Sequence, residues 1–223
     1  MSKEDILRSL ADSVVEMDEE LAGRLTLEAL DLGVLPSEIV MDGLSKGMER
    51  VSDLFDQNEY FVPEVVVCAD VMYAAYRIIK ETSGCAYPTK GKIVIGVVEG
   101  DTHDIGKNIV SIMLEGAGFE VVDLGRNVPL KLFGETAAKT GADIVAVCSL
   151  MTTTRDGMKG IIEDIRSKRH GKIPFIMVGG APVSEEFAQS IGADGYAATG
   201  RGAVLVAEKL IADKVRRIKD EII

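Results

Sequence analysis

Nine residues in the middle of the chain, Gly100-Asp101-Thr102-His103-Asp104-Ile105-Gly106-Lys107-Asn108, bring together an imidazole, a carboxylate two positions before it and a glycine three positions after it. A neutral imidazole ligates a transition metal through one ring nitrogen, while its other N–H needs an acceptor that fixes tautomer and ring orientation. Asp101 stands where such an acceptor is needed. Gly106 lets backbone approach a large flat ligand with no Cβ in the way. A free metal ion wants three or four protein ligands, and one imidazole does not supply them. Cys68, Cys85 and Cys148 are too widely spaced to form a zinc cluster or a disulfide framework. A metal at His103 must therefore arrive with its own macrocycle. Taken alone, an Asp-x-His is more often an exposed loop histidine, so the neighbouring loops decide.

The elements that position this loop are legible on either side of it. Residues 92–98 form an apolar run rich in Val and Ile, which reads as a buried strand, and the pattern through Ile109, Ile112 and Met113 to Gly116 and Gly118 reads as a capped helix. His103 thus falls at the carboxyl end of a first strand. From there strands (92–98, 120–124, 143–148, 174–178 and 195–197) alternate with helices (about 108–116, 129–140, 155–167, 184–191 and 201–219). Such alternation implies right-handed crossovers and a parallel sheet. For five strands the flavodoxin-like order 2-1-3-4-5 is expected, with its switch point between strands one and three, where ligands bind. The loop after strand three, Cys148-Ser149-Leu150-Met151-Thr152-Thr153-Thr154, then faces His103 across one crevice. Its Ser149, Thr152 and Thr153 hydroxyls are suited to bonding Asp101 or a ligand edge, while Thr153 and Thr154 are equally suited to capping the helix near Arg155. Gly179-Gly180 follows strand four, either as a tight turn or as a place where a bulky ligand passes close to backbone. Thr199-Gly200 closes a fourth loop of small residues. Together the four loops describe a long slot.

Residues 3–82 carry helical periodicity and no strand pattern. Ser2 and Asp5 form a capping-box start for a helix with Ile6, Leu7, Leu10, Val14 and Val15 on one face. Asp18 begins a second helix, stopped by Gly33; Pro36 begins a third, running to Phe55; Pro63 begins a fourth, Val65 to Ile79. Short connections imply an antiparallel bundle. The fourth helix is apolar around most of its circumference, either because it is central or because one face, with Tyr60 and Phe61 at its start, covers a ligand. The expected organisation is an α plus α/β chain: a four-helix cap at 1–83, a linker at 84–91 and a Rossmann-like five-stranded domain at 92–223.

Composition narrows the function classes. With 36 acidic and 25 basic residues the net charge is -11, and no basic block offers a surface for nucleic-acid phosphate. No apolar run approaches the roughly 18 to 20 residues of a spanning helix, and the start Met-Ser-Lys-Glu-Asp lacks the regions of a signal peptide. A reducing cytoplasm is expected.

Asp101-x-His103-x-x-Gly106, the loop ending at Leu150, and Gly179-Gly180 together resemble the cobalamin-binding family. The whole chain is similar to the corrinoid proteins of methyltransferase systems and to the cobalamin module of methionine synthase. The resemblance implies that His103 is the lower axial ligand of cobalt, in place of the cofactor's own base, with Asp101 its hydrogen-bond partner. Gly106 becomes the close-approach glycine, and Gly179 and Gly180 contact the nucleotide tail. Thr102, Asp104 and Ile105 join the binding loop, and Phe61, Val65 and Met72 are the cap residues expected to touch the corrin. The family's Ser-x-Leu falls here on Cys148-Ser149-Leu150, and a thiol is a weaker donor than a hydroxyl. Cys148 acts weakly, or Ser149 or Thr152 takes its place, with Thr152 the better substitute because strand alternation turns Ser149 away.

The implied function is a methyl carrier, a non-autonomous component of a methyltransferase system in one-carbon metabolism. A substrate-specific partner would load it from a methylamine, methanol, a quaternary amine or an aryl methyl ether. A second methyltransferase would deliver the methyl to tetrahydrofolate or a thiol, and a reductive activase would restore the cobalt. Binding and release of His103 would accompany methyl gain and loss. The alternatives are a cobalamin-dependent sensor, which wants an output domain, and the cobalamin subunit of a carbon-skeleton mutase, which does not bring a helical cap. The other histidine, His170, competes as ligand only until one substitution separates the two.

Overall fold

The computed structural model describes residues 2–83, 89–167 and 173–222. It divides into two compact units, Met1–Thr89 with Glu115–Gly118, and Lys90–Leu114 with Phe119–Ile223. Five residues of the expected linker, 84–88, and His170 lie outside the described residues.

Four helical stretches make the first unit. Helix α1 (Lys3–Val15) starts at a reciprocal cap, in which Ser2 Oγ accepts the Asp5 N–H while Asp5 accepts the Ser2 N–H, both at 3.2 Å. Helix α2 (Glu19–Asp31) starts where Asp18 accepts the Leu21 N–H at 2.8 Å, and ends at Gly33, whose φ of 76° a side chain would resist. Helix α3 opens on Pro36–Glu38 and closes on Ser45–Asp56, but its middle, Ile39–Leu44, is π-helical where periodicity predicts ordinary helix. It runs close to α1. A Cβ at Gly47 would lie 2.8 Å from the Ala11 carbonyl oxygen, and one at Gly43 would lie 3.3 Å from Leu10 Cβ. Helix α4 (Val62–Ser83) packs against α1, α2 and α3, with Phe61 N–H capped by Glu64 at 2.9 Å. Ile6, Leu10, Leu44, Met48 and Met72 fill the interior.

The second unit is a single parallel sheet of β1 (Lys92–Val97), β2 (Glu120–Asp123), β3 (Ile144–Cys148), β4 (Phe175–Gly179) and β5 (Gly195–Ala197). Its order is β2-β1-β3-β4-β5, as the alternating pattern predicts. Helices α5 (Ile105–Gly116), α6 (Leu130–Thr140), α7 (Gly157–Ser167), α8 (Glu185–Ser190) and α9 (Gly200–Ile222) alternate with the strands. Strands covered on both faces must be apolar throughout, which is why β1 and β3 read as continuous runs. Val94, Phe133, Val145, Val147, Ile161, Ile176 and Val178 are buried together. Gly96 makes room for Phe133, because a Cβ there would lie 2.9 Å from the ring. The register pairs Val97 with Cys148 and Cys148 with Gly179, so three strands end level. Their loops consequently lie side by side.

Charge is divided as sharply as the fold. Residues 1–89 carry 18 acidic and 7 basic side chains, whereas residues 90–223 carry 18 of each. The whole net charge therefore sits in the helical part of the sequence. No described helix is long and apolar enough to cross a membrane.

Candidate functional site

Asp101 is the fixed point of the level loops. It is fully buried at the end of β1, and every bond its carboxylate makes in this structure runs to a loop residue. Oδ1 accepts the His103 backbone N–H at 3.0 Å and meets the imidazole Nδ1 at 2.9 Å. Oδ2 accepts the Leu150 N–H at 2.7 Å and the Thr154 hydroxyl at 3.3 Å. Burial works against the charge, but the bonds from Leu150, His103 and Thr154 outweigh it and hold the carboxyl below the usual range. An ionised carboxylate only accepts, so Nδ1 carries a hydrogen, and in the neutral ring Nε2 holds the lone pair. The His103 side chain is 61% exposed, and Nε2 is the nitrogen left for a ligand.

Thr154, not Thr152, is the hydroxyl that meets Asp101. Thr152 is exposed, and among the described residues no side-chain bond from it is seen. The chain turns tightly after Leu150, with the Thr154 N–H on the Met151 carbonyl, and this return brings Thr154 back under the loop. Ser149 does not turn away either. It is buried, and its Oγ lies 3.0 Å from Thr154 Oγ1 and 3.1 Å from the Met151 carbonyl oxygen, which makes it a support for Thr154. Cys148 makes no side-chain bond to Asp101 among the described residues, and desolvation pushes its thiol up to about 12. The groups that meet Asp101 from this loop are thus the Thr154 hydroxyl and the Leu150 N–H.

A second loop, absent from the sequence-based site, grips the first. Asn127 Oδ1 accepts the Gly100 N–H at 2.7 Å, and the Asn127 N–H donates to the Asp101 carbonyl at 2.9 Å. Arg126 Nη1 donates to the Thr102 carbonyl at 3.1 Å and lies 3.6 Å from Asp104 Oδ2. Lys107, buried on α5, pairs with Asp123, whose other oxygen accepts the Gly125 N–H at 2.7 Å. The signal that could have found this loop is Gly125-Arg126-Asn127 itself, a turn at the carboxyl end of the strand beside β1.

The remaining expected residues are placed as follows. Ile105, 67% exposed, and Gly106, also exposed, border His103; a Cβ on Gly106 would touch only Leu150, at 3.6 Å. Gly179 and Gly180 have reasons within the protein for being glycine. A Cβ at Gly179 would lie 2.7 Å from the Ala197 carbonyl oxygen, and one at Gly180, where φ is 120°, would collide with the Ser149 carbonyl. In the helical unit Phe61 is 60% exposed, whereas Val65 and Met72 have no accessible surface left. Those two belong to the packed interior of this structure.

These residues fit a corrinoid. Among the described residues no group of three His, Cys, Asp or Glu side chains could hold a bare metal ion. A macrocycle would supply the other ligands to a metal held by His103, and exposed Ile105 and Met151 give apolar surface for a flat ring to cover. The site offers an oriented, single imidazole on a loop at the switch point of a parallel sheet.

Comparison with known proteins agrees. One family description, "B12 binding domain", matches residues 91–207, and a second of the same description matches residues 6–80. The chain is 42% identical to dimethylamine corrinoid protein 1 of Methanosarcina acetivorans over 95% of its length and 100% of the relative's. It is 41% identical to trimethylamine corrinoid protein 1 of the same organism, over 95% and 98%. In the solved methanol:cobalamin methyltransferase complex from Methanosarcina barkeri, a chain aligns with a TM-score of 0.83 at 32% identity, covering 95% of this chain and 81% of that one. The chain belongs to the B12-binding corrinoid proteins of methyltransferase systems. Its role is that of a methyl-carrying corrinoid subunit that works with methyltransferase partners.

Proposed function

We propose that the chain carries methyl groups from a methylamine, with His103 Nε2 as the lower axial ligand of the corrinoid cobalt. The observation that carries the ligand assignment is the Asp101–His103 pair, with Nδ1 held at 2.9 Å and Nε2 left free. The methylamine donor is supported by 42% and 41% identity to dimethylamine and trimethylamine corrinoid proteins across nearly whole chains. The similar identities leave the choice of amine to the partner that loads the carrier. A second methyltransferase takes the methyl to a thiol or tetrahydrofolate acceptor, and a reductive activase serves as a third partner.

When bound, the corrinoid supplies a cobalt centre able to accept and surrender a methyl group. The protein supplies the imidazole and controls its release. Leu150 N–H and Thr154 Oγ1 hold Asp101, Asp101 holds Nδ1–H, and the ring is thereby aimed before any ligand arrives. His103 Nε2 would hold the metal of the corrinoid, and the buried Asp101 carboxylate beside Nδ1 would stabilise positive charge on the ring whenever Nε2 carries a proton instead.

Electron paramagnetic resonance of the cobalamin-loaded protein held as cobalt(II), with and without nitrogen-15 histidine, tests the assignment. Nitrogen superhyperfine lines that change on labelling and vanish in His103→Gly support it. Lines that survive in His103→Gly, or that ignore the label, remove His103 from the cobalt.

A further inference from the structure

The Arg126 side chain touches the residues on both sides of His103. Its Nη1 donates to the carbonyl of Thr102 at 3.1 Å and lies 3.6 Å from the carboxylate of Asp104. The histidine loop between β1 and α5 is held otherwise chiefly through Gly100, Asp101 and the His103 N–H. The Asp101 N–H reaches the Val98 carbonyl at 3.2 Å, and the Asn108 N–H reaches the Asp104 carbonyl at 2.8 Å, where the helix begins. Thr102 and His103 lie between these anchors. The Asp101 carboxylate orients the ring and holds the His103 N–H at 3.0 Å, while the residues on either side of His103 are held from outside, by the loop after β2.

That outer loop is itself braced. Gly125 has a φ of 81° and donates to Asp123 Oδ1 at 2.7 Å, while Asp123 Oδ2 pairs with buried Lys107. Its own carbonyl accepts the Val97 N–H at 3.0 Å, and the Val128 N–H returns to the Val97 carbonyl at 3.0 Å. Asn127 holds a φ of 53°, which asparagine tolerates better than other side chains, and is fixed there by accepting from Gly100 and donating to Asp101. Arg126 therefore hangs from a rigid support. A guanidinium on such a base transmits position to what it binds.

We propose that Arg126 is a positioning residue for His103: by bracketing it at Thr102 and Asp104, the guanidinium sets how much of the loaded protein has the imidazole on the metal. The inference rests on His103 being the axial ligand. It goes further in naming a residue outside the histidine loop that tunes the bond. Thr102 is exposed, and the Arg126 side chain is 57% exposed, so losing the contact leaves no buried acceptor unpaired and does little to folding. What is lost is restriction of the loop. One charge-assisted hydrogen bond and one exposed ion pair correspond to about a fivefold change in the ratio of detached to bound imidazole.

The test uses the full-length protein as wild type, Arg126→Leu and Arg126→Lys. Each is loaded with hydroxocobalamin, reduced to cobalt(II), and scored for the share of signal with histidine nitrogen lines. In the cofactor-free proteins, hydrogen exchange of the His103 amide and the melting midpoint are measured alongside. The expected result is a detached-to-bound ratio about fivefold higher in Arg126→Leu, an intermediate ratio in Arg126→Lys, faster His103 exchange, and a midpoint within about 2 °C of wild type. An unchanged ratio and unchanged exchange in Arg126→Leu overturn the inference, as does a large fall in midpoint with the ratio unmoved. Should Arg126→Leu fail to fold, Arg126→Lys decides, with a wild-type ratio and exchange overturning the proposal. Absence of histidine nitrogen lines in the wild type is a separate outcome, which overturns the ligand reading on which the proposal stands.

Discussion

Sequence spacing gives Gly106 and Gly180 the same task, letting a ligand pass close to backbone, and the structure separates them. At Gly180 φ is 120°, and an added Cβ would lie 2.8 Å from the Ser149 carbonyl carbon and closer still to its oxygen. That carbonyl cannot swing aside cheaply, because the Ser149 N–H is bonded to the Gly179 carbonyl at 3.1 Å. Gly180→Ala adds backbone strain to an overpacked contact, together about 4 kcal/mol. For a chain of this size that lowers the melting midpoint of the sheet unit by about 10 °C. At Gly106 φ lies outside the left-handed region, and the added Cβ would meet only Leu150, at 3.6 Å. Gly106→Ala leaves the cofactor-free protein as stable as before, or about 0.5 kcal/mol more so through helix propensity. The new methyl stands on the exposed surface beside His103, so its cost appears only when the corrin arrives. That cost is about 1.5 to 3 kcal/mol, a ten- to hundredfold weaker Kd. Calorimetry of the cofactor-free proteins and equilibrium titration with hydroxocobalamin measure the two effects separately. Wild-type affinity in Gly106→Ala would refute close passage of the ring over that position, and an unmoved midpoint in Gly180→Ala would refute the steric account.

Thr154→Val removes the hydroxyl that meets Asp101, whereas Thr152→Val removes an exposed one. In cobalt(II) spectra the first should raise the detached share of imidazole about threefold and the second should not change it; identical spectra would return the third member of the relay to another residue. Asp101 predicts a pH effect with a definite sign. Its carboxyl is held below the ordinary value of 3.8 by its hydrogen bonds, so it stabilises the fold above that pH, and the contribution is lost as pH falls through the lower, folded value. Asp101→Asn should therefore show a shallower loss of urea midpoint than wild type between about pH 4 and pH 2. Parallel acid limbs would mean that the carboxylate is not favoured by the fold.

The parallel sheet was legible because its central strands β1, β3 and β4 are apolar on both faces and turn-forming or capping residues follow them. Strand ends read from sequence fall within a residue or so of those observed, and the strand order made β1 and β3 neighbours, while the register that levels their ends is seen only in the structure. Asp101 and His103 were legible for a local reason, a two-residue spacing that brings carboxylate and imidazole together in one turn. Thr154 was not, since its bond depends on how tightly the chain returns after Leu150, and a run of threonines offers three equal choices. Arg126 and Asn127 were hidden for the opposite reason, being 24 residues or so away and joined to the site only by sheet pairing. The π-helical turn at Ile39–Leu44 escaped notice because Val40, Leu44 and Met48 keep a four-residue spacing that suits an ordinary helix. Val65 and Met72 were assigned to a ligand face because the fourth helix is apolar nearly all round, yet it packs against three helices and spends both residues there.

The division of charge makes the two halves of the chain answer to different properties of the solution. Residues 90–223 carry equal numbers of acidic and basic groups, so added salt has little net charge to screen there. Residues 1–89 carry the whole surplus of 11 negative charges, so it is this half that projects a long-range field and speeds the approach of basic protein surfaces. Ionic strength should thus act on the encounters of residues 1–89 and far less on those of residues 90–223.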